Sequence, residues 1–278
     1  MDIGTNTTRV LVADVHDAGL TEVLQQRAFT RIGVAPEIAG EKIQEVARVV
    51  AGQVELARAA GARCVRVVAT AAIRAAVNRD EFLAGMPVAV EILDESEEAR
   101  LAFLGATETF HAQLEGTVAV VDVGGGSTEI AVGTVGGGVR WSSSFLVGSG
   151  VLADRYLRSD PPTAGEIAAA AAHADDVLST RELPGADCAV AVGGSAASLP
   201  RLVGDVLEPS SFGRALDVLA QHRCADVAVR YGLDPLRVRL LPAGILILNA
   251  TCGRLGQPLR IGRGGLREGV VLDMARTL

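Results

Sequence analysis

Asp2-Ile3-Gly4-Thr5-Asn6-Thr7-Thr8-Arg9-Val10-Leu11-Val12 is answered 120 residues later by Asp122-Val123-Gly124-Gly125-Gly126-Ser127-Thr128-Glu129-Ile130-Ala131-Val132. Both stretches read Asp, apolar, Gly, a small polar turn and then an apolar run. One short match arises easily by chance in a chain rich in Ala, Gly and Val, but a second follows in the same order. Arg66-Val67-Val68-Ala69-Thr70-Ala71-Ala72 and Ala189-Val190-Ala191-Val192-Gly193-Gly194-Ser195 are each a short apolar strand running into a small-residue turn and a helix. Two matches in register mark a duplication. The chain is therefore expected to hold two similar domains, residues 1–115 and 116–278, with the last helix free to pack back on the first.

Between these markers strands alternate with helices. Glu41 to Ala60 carries Ile43, Val46, Val50 and Val54 at helical spacing and meets Gly61, a fitting C-terminal cap. Val65 to Ala69 and Pro87 to Leu93 read as strands. Asp94 with Glu97 three residues on reads as a capping box that opens a helix through about Gln113. Thr163 to Leu178, Phe212 to Tyr231 and Pro242 to Leu255 are further helices, and Gly136-Gly137-Gly138 is a hairpin turn between Glu129 to Val135 and Val139 to Phe145. Strands followed by helices, twice over, predict an α/β chain with mixed sheets flanked by helices.

With 278 residues and 49% hydrophobic content there is enough apolar mass for two cores. A net charge of −7 sets the surface as a whole against nucleic acid and anionic membranes, so neither is expected as a partner, and a polyanionic substrate has to be gripped locally. Lys42, the only lysine, sits in neither a P-loop nor a Schiff-base context. Positive charge is otherwise arginine, whose planar guanidinium suits phosphate. Cys64, Cys188, Cys224 and Cys252 lack Cys-x-x-Cys spacing and read as buried reduced thiols, and the four histidines are equally scattered. No signal peptide opens the chain and every long apolar stretch is broken before membrane-spanning length, which predicts a cytoplasmic protein.

A strand that ends in Asp and enters a glycine-rich hairpin turns several backbone N–H groups into one concavity, a nest for anions and for phosphate above all. Gly4, Thr5, Asn6 and Thr7 form one such loop, and Gly124, Gly125, Gly126 and Ser127 the other. Either alone is as readily a plain hairpin. Asp2, Asp122 and Glu129 beside such loops would repel phosphate unless a cation stands between, which predicts Mg²⁺, or Mn²⁺, on those carboxylates. Ser127 and Glu129 point the same way by strand alternation. Arg74 lies one turn into the helix that Thr70 starts, where a guanidinium reaches back over the strand end. Glu97 and Glu98 share the first turn of the Asp94 helix, whose dipole helps keep a carboxylate ionised as a general base for water requires. The sequence alone does not separate the two.

With these residues in view, the chain resembles the exopolyphosphatase and guanosine pentaphosphate phosphohydrolase family, a branch of the superfamily of actin, heat-shock chaperones and sugar kinases. The matching strings are Asp2-Ile3-Gly4-Thr5-Asn6-Thr7, Ala69-Thr70-Ala71-Ala72-Ile73-Arg74, Glu97-Glu98-Ala99-Arg100-Leu101, Val121 to Glu129, Val192-Gly193-Gly194-Ser195 and Gly265-Leu266-Arg267-Glu268-Gly269, in the family's order. The resemblance implies two duplicated actin-like (ribonuclease H-like) domains with the active site in the cleft between them. It implies Glu98 as the carboxylate that activates water, and Asp122 and Glu129 as the acidic pair that engages metal and the attacked phosphate. Arg74, Thr70, the two glycine loops and Gly193-Gly194 would bind phosphate oxygens. The implied reaction removes the terminal phosphate of inorganic polyphosphate by in-line attack of water, mostly through positioning and electrostatics.

Guanosine pentaphosphate hydrolysis by the same machinery is the near alternative, although 3% aromatic content leaves little for stacking a base. A sugar kinase and a non-catalytic phosphate-chain sensor are the other classes; the family strings argue against the first, the intact candidate site against the second. The chain resembles the short members of the family, which lack extra C-terminal helical domains, and relatives are often homodimers. The repeat also exposes a departure: Thr117-Val118-Ala119-Val120-Val121 precede Asp122, whereas only Met1 precedes Asp2. That predicts an upstream natural start, or a chain short by about five residues, the length of an ordinary strand.

Overall fold

The computed structural model describes residues 1–16 and 19–277. The chain forms two compact units, Met1–Thr109 with the segment from Gly264 onward, and Phe110–Arg263. The break falls after Thr109, and the terminal helix, Leu266–Thr277, is part of the first unit. Each unit is built on a mixed sheet with helices, the α/β class expected from the repeat.

In the first unit β1 (Asp2–Ile3), β2 (Thr8–His16), β3 (Gly19–Ala28), α1 (Gly40–Ala59), β4 (Val68–Ala69), α2 (Ala71–Ala75), α3 (Arg79–Ala84), β5 (Glu91–Ile92) and α4 (Glu95–Glu108) follow in order. The sheet order is β3-β2-β1-β4-β5, with β1 antiparallel to β2 and parallel to β4. Ile43, Val46, Val50 and Val54 of α1 are buried in a core with Ile3, Val10 and Phe82. Helix α1 stops at Gly61, whose φ of +88° few other residues adopt. Gly61 N–H donates to Arg58 O and Ala62 N–H to Ala57 O, so the end is a Schellman cap. The terminal helix meets α4 backbone to backbone: a β-carbon at Gly269 would lie 1.8 Å from Leu101 O, and one at Gly105 1.9 Å from Gly265 O.

The second unit runs β6 (Thr117–Val123), β7 (Thr128–Thr134), β8 (Gly138–Phe145), α5 (Ser149–Tyr156), α6 (Ala164–Leu178), β9 (Cys188–Val192), α7 (Gly193–Ala196), α8 (Pro200–Val203), β10 (Val206–Leu207), α9 (Pro209–Gln221), α10 (Cys224–Tyr231), α11 (Pro235–Val238), α12 (Leu241–Leu255) and β11 (Leu259–Ile261). Its sheet order is β10-β11-β9-β6-β7-β8. Buried Ile245, Ile247 and Leu248 of α12 share one core with Val121, Ile130 and Ala191 of the sheet. The Gly136 to Gly138 segment is the hairpin turn, with φ of +80° at Gly136 and +73° at Gly138.

Five expectations need correction. Phe212 to Tyr231 is two helices, because His222 and Arg223 are extended and the Asp160 carboxylate accepts from Cys224 N–H at 2.8 Å, opening a new helix there. The helix from Asp94 ends at Glu108, short of Gln113, and only Glu91–Ile92 of the Pro87 stretch pairs as a strand. The second repeat is offset by one residue, since Asp2 pairs with Val68 as Asp122 pairs with Val192, where the sequence match aligned Ala69 with Val192. Small apolar residues on successive positions carry no register mark of their own. Of the cysteines, only Cys252 is buried and Cys64 is exposed, and all four are free thiols.

Candidate active site

The β1–β2 and β6–β7 hairpins are one device used twice. Gly4 N–H donates to Thr7 O and Gly124 N–H to Ser127 O, both at 3.0 Å. Cross-strand register agrees too: Asp2 opposite Arg9 and Ile3 opposite Thr8, as Asp122 opposite Glu129 and Val123 opposite Thr128. Different neighbours back the two loops. Thr5 O and Asn6 O accept from the Gly33 and Arg31 N–H groups at 3.1 Å, whereas Gly124 O accepts from Ser149 N–H and Gly125 O from Gly150 N–H, both at 2.9 Å.

A trans peptide points its N–H opposite to its C=O. The Asn6, Thr7, Gly125 and Gly126 N–H groups are therefore turned away from that backing, and none has a protein acceptor among the described residues. Each loop is thus a cradle of donors suited to an anion. The buried Nδ2 of Asn6 also meets no partner among the described residues, a state that folded proteins seldom leave to a polar atom. Arg31 is held at φ +44° where it delivers its N–H to Asn6 O, a conformation that costs a non-glycine residue about 1–2 kcal/mol. Such outliers gather at functional sites.

The acidic residues differ between the hairpins. Asp2 is buried and its Oδ2 lies 3.2 Å from Arg9 Nη2. At the position of Arg9 the second hairpin has Glu129, so Asp122 and Glu129 stand directly opposite each other on one sheet face. Ser144 Oγ, from the next strand, donates to Glu129 Oε1 at 2.9 Å. Gly193 borders Asp122: its φ is +88°, and a β-carbon there would lie 2.6 Å from Asp122 Oδ1. Gly194 borders the buried Arg237, with 2.4 Å between its notional β-carbon and the guanidinium Cζ.

Two carboxylates on adjacent strands, with no thiolate or imidazole beside them, are a donor set for a hard cation. Among the described residues no three His, Cys, Asp or Glu gather as a fuller metal cluster. This fits Mg²⁺, which takes one or two carboxylates and fills its remaining positions with water and substrate phosphate.

Helix α4 separates the two glutamates that the sequence left equivalent. Asp94 caps it, accepting from Glu97 N–H at 2.8 Å, and its carboxyl is held below the usual range by the Ser96 hydroxyl and that N–H. Glu97 forks onto Arg100, with two contacts of 2.8 Å, in an exposed ion network. Glu98 turns inward, 7% exposed, and accepts from Arg74 Nη1 at 2.8 Å. The same Nη1 donates to Leu93 O at 2.8 Å, tying α2, the end of β5 and α4 together. Thr70, buried at the head of α2, donates its N–H to Ile3 O.

The first unit therefore brings together Asp2, the Gly4–Thr7 loop, Thr70, Arg74 and Glu98 around the ends of β1, β4 and β5. The second brings together Asp122, the Gly124–Ser127 loop, Glu129, Gly193 and Gly194 around the ends of β6 and β9. Carboxyl ends of parallel strands are where open α/β sheets receive ligands. The sequence reading did not single out Arg9, Arg31, Ser144 or Arg237, and quoted Arg267 only within a string. Arg267 is partly buried, and desolvation first and Arg9 next push its pKa down from the usual guanidinium value.

A model described as the Ppx/GppA phosphatase family matches residues 11–278. Exopolyphosphatase 2 of Mycobacterium tuberculosis is 37% identical over 188 residues, which cover 61% of this chain and 58% of that protein's own length. Exopolyphosphatase 1 of Mycobacterium bovis is 26% identical over 98% of this chain and 86% of the relative. The crystal structure of the Aquifex aeolicus Ppx/GppA family member is 28% identical and superposes with a TM-score of 0.81, over 99% of this chain and 96% of that one. No helix among the described residues is long and apolar enough to cross a membrane.

Proposed function

The chain belongs to the Ppx/GppA phosphatase family, and from that premise we propose that it hydrolyses the terminal phosphoanhydride bond of inorganic polyphosphate. The observation that carries the reading is the duplicated nest, the same hairpin bond and the same outward N–H groups at Gly4–Thr7 and Gly124–Ser127. A linear polyanion has repeating oxyanions for paired nests to hold, and the M. tuberculosis and M. bovis relatives are named exopolyphosphatases.

In this reading the Thr5–Thr7 and Gly125–Ser127 amides bind nonbridging oxygens and fix the chain's position. Asp122 and Glu129 hold a divalent ion, with Asp2 a third candidate whose carboxylate already neighbours Arg9. Mg²⁺, or Mn²⁺ in its place, supplies when bound positive charge that offsets the phosphate oxygens. Glu98 takes the proton of the attacking water, and Arg74 holds the Glu98 carboxylate in one orientation while adding positive charge. Water attacks in line with the departing chain, and positioning with charge compensation accounts for most of the acceleration. The reading requires Glu98 and the Asp122–Glu129 pair to act on one phosphate chain.

The test is phosphate release from polyphosphate, from guanosine pentaphosphate, and from ATP with a panel of sugars, each with and without Mg²⁺. Release from polyphosphate that needs Mg²⁺ and is lost on chelation is the expected result. Turnover of guanosine pentaphosphate alone would move the substrate to the nucleotide, and sugar phosphorylation would replace hydrolysis with phosphoryl transfer.

A further inference from the structure

Equivalent cross-strand rows run through the two sheets. In the second unit Asp122, Glu129 and Ser144 stand directly opposite one another across β6, β7 and β8. In the first unit the same places hold Asp2, Arg9 and Arg27 across β1, β2 and β3. One row carries two carboxylates and no basic residue, the other a single carboxylate and two guanidiniums. Beside Glu129 the outer strand offers a hydroxyl, where its counterpart in the first sheet offers an arginine.

An arginine or lysine opposite Glu129 would neutralise it and compete with a bound cation, as Arg9 Nη2 stands 3.2 Å from Asp2 Oδ2 in the first row. The Ser144 hydroxyl donates to Glu129 Oε1 at 2.9 Å and adds no charge. A carboxylate has about four lone-pair sites, so one such bond orients it without using up its capacity for a metal. Ser144 is also held in place. Strand β8 is the edge of its sheet, yet Thr128 Oγ1 donates to Val147 O at 2.6 Å and Phe145 is buried, which fastens this end of β8 to β7. The register of the pair shifts at its far end, between Val132 and Gly133, and is regular from Thr128 to Ile130.

We propose that Ser144 is a positioning residue for the divalent cation, its hydroxyl aiming the Glu129 carboxylate at the ion that Asp122 and Glu129 share. The inference deepens the proposed function, because it rests on those two carboxylates holding the ion. Carboxylates that ligate metals are themselves hydrogen-bonded, and loss of such a partner usually costs about 10–100-fold in metal affinity or activity. Ser144 touches the chemistry through Glu129, so its removal acts on the ion before it acts on the phosphate chain.

The test follows Mn²⁺ binding to the full chain without polyphosphate, through the electron paramagnetic resonance signal of the free ion, in the parent and in Ser144→Ala, Ser144→Thr and Glu129→Gln. Glu129→Gln is expected to lose the site. Ser144→Ala is expected to bind about tenfold more weakly than the parent, and Ser144→Thr, which keeps the hydroxyl, within a few-fold of it. In phosphate release from polyphosphate, the Mg²⁺ concentration for half-maximal rate should rise in Ser144→Ala by the same factor, with KM for polyphosphate unchanged at saturating Mg²⁺. Parent-like Mn²⁺ affinity in Ser144→Ala, where Glu129→Gln has lost it, overturns the role of Ser144 and leaves the cation site standing. Equal losses in Ser144→Ala and Ser144→Thr overturn it as well, by assigning the effect to packing. Parent-like binding by Glu129→Gln removes the cation from this pair and the inference with it.

Discussion

A protein made from this sequence alone, so that its amine is that of Met1, is expected to lose stability through that group as pH falls from 8 to 6. Burial pushes its pKa down from 8.0 to about 6, opposed by the neighbouring Asp2 carboxylate and reinforced by Arg267 and Arg66. The folded pKa lies below the unfolded one, so the unfolded chain binds more protons through this window. Stability from this group is therefore present above pH 8 and lost as pH falls toward 6. The full difference is about 2.7 kcal/mol for two pKa units at about 1.36 kcal/mol each. Between pH 8 and 6 the loss is about 2 kcal/mol, steepest at pH 7 with about 1 kcal/mol per pH unit. Urea unfolding at constant ionic strength at pH 6, 7 and 8, run beside the Nα-acetylated protein, isolates this group through the difference between the two pH profiles, because the acetylated amine no longer titrates. Parallel pH profiles for the two proteins would refute the reasoning.

Gly269→Ala forces a methyl to 1.8 Å from Leu101 O and drives the terminal helix off α4. Thermal unfolding should show a loss of at least about 1–3 kcal/mol, the usual range for overpacking. Gly193→Ala has to carry a side chain at φ +88° and 2.6 Å from Asp122 Oδ1. The backbone part costs about 1–2 kcal/mol, and because Asp122 is displaced, phosphate release is expected to fall further than this loss of stability explains. Equal effects of Gly193→Ala on activity and on the folded fraction would detach Asp122 from the chemistry.

The duplication was legible because Asp and Gly at fixed spacing are demanded by the hairpin itself, so both copies keep them. The nests followed from it. Other features depended on tertiary neighbours that no local pattern encodes. Glu98 separates from Glu97 only because Arg74, 24 residues away, reaches one and Arg100 the other. Arg237 reaches Gly194 from a short helix with no motif of its own. The break at His222 depends on Asp160, 64 residues from Cys224. The one-residue offset of the second repeat was hidden by Ala and Val, which fit either register.

Glu98→Gln keeps the shape of the side chain and removes its capacity to take a proton. Single-turnover phosphate release from polyphosphate should drop by about 10²–10⁴-fold, the usual contribution of a general base, while a folded variant still binds polyphosphate within a few-fold of the parent. Release that persists near the parent rate, in a variant with unchanged circular dichroism, would contradict the assignment of Glu98 as the group that activates water.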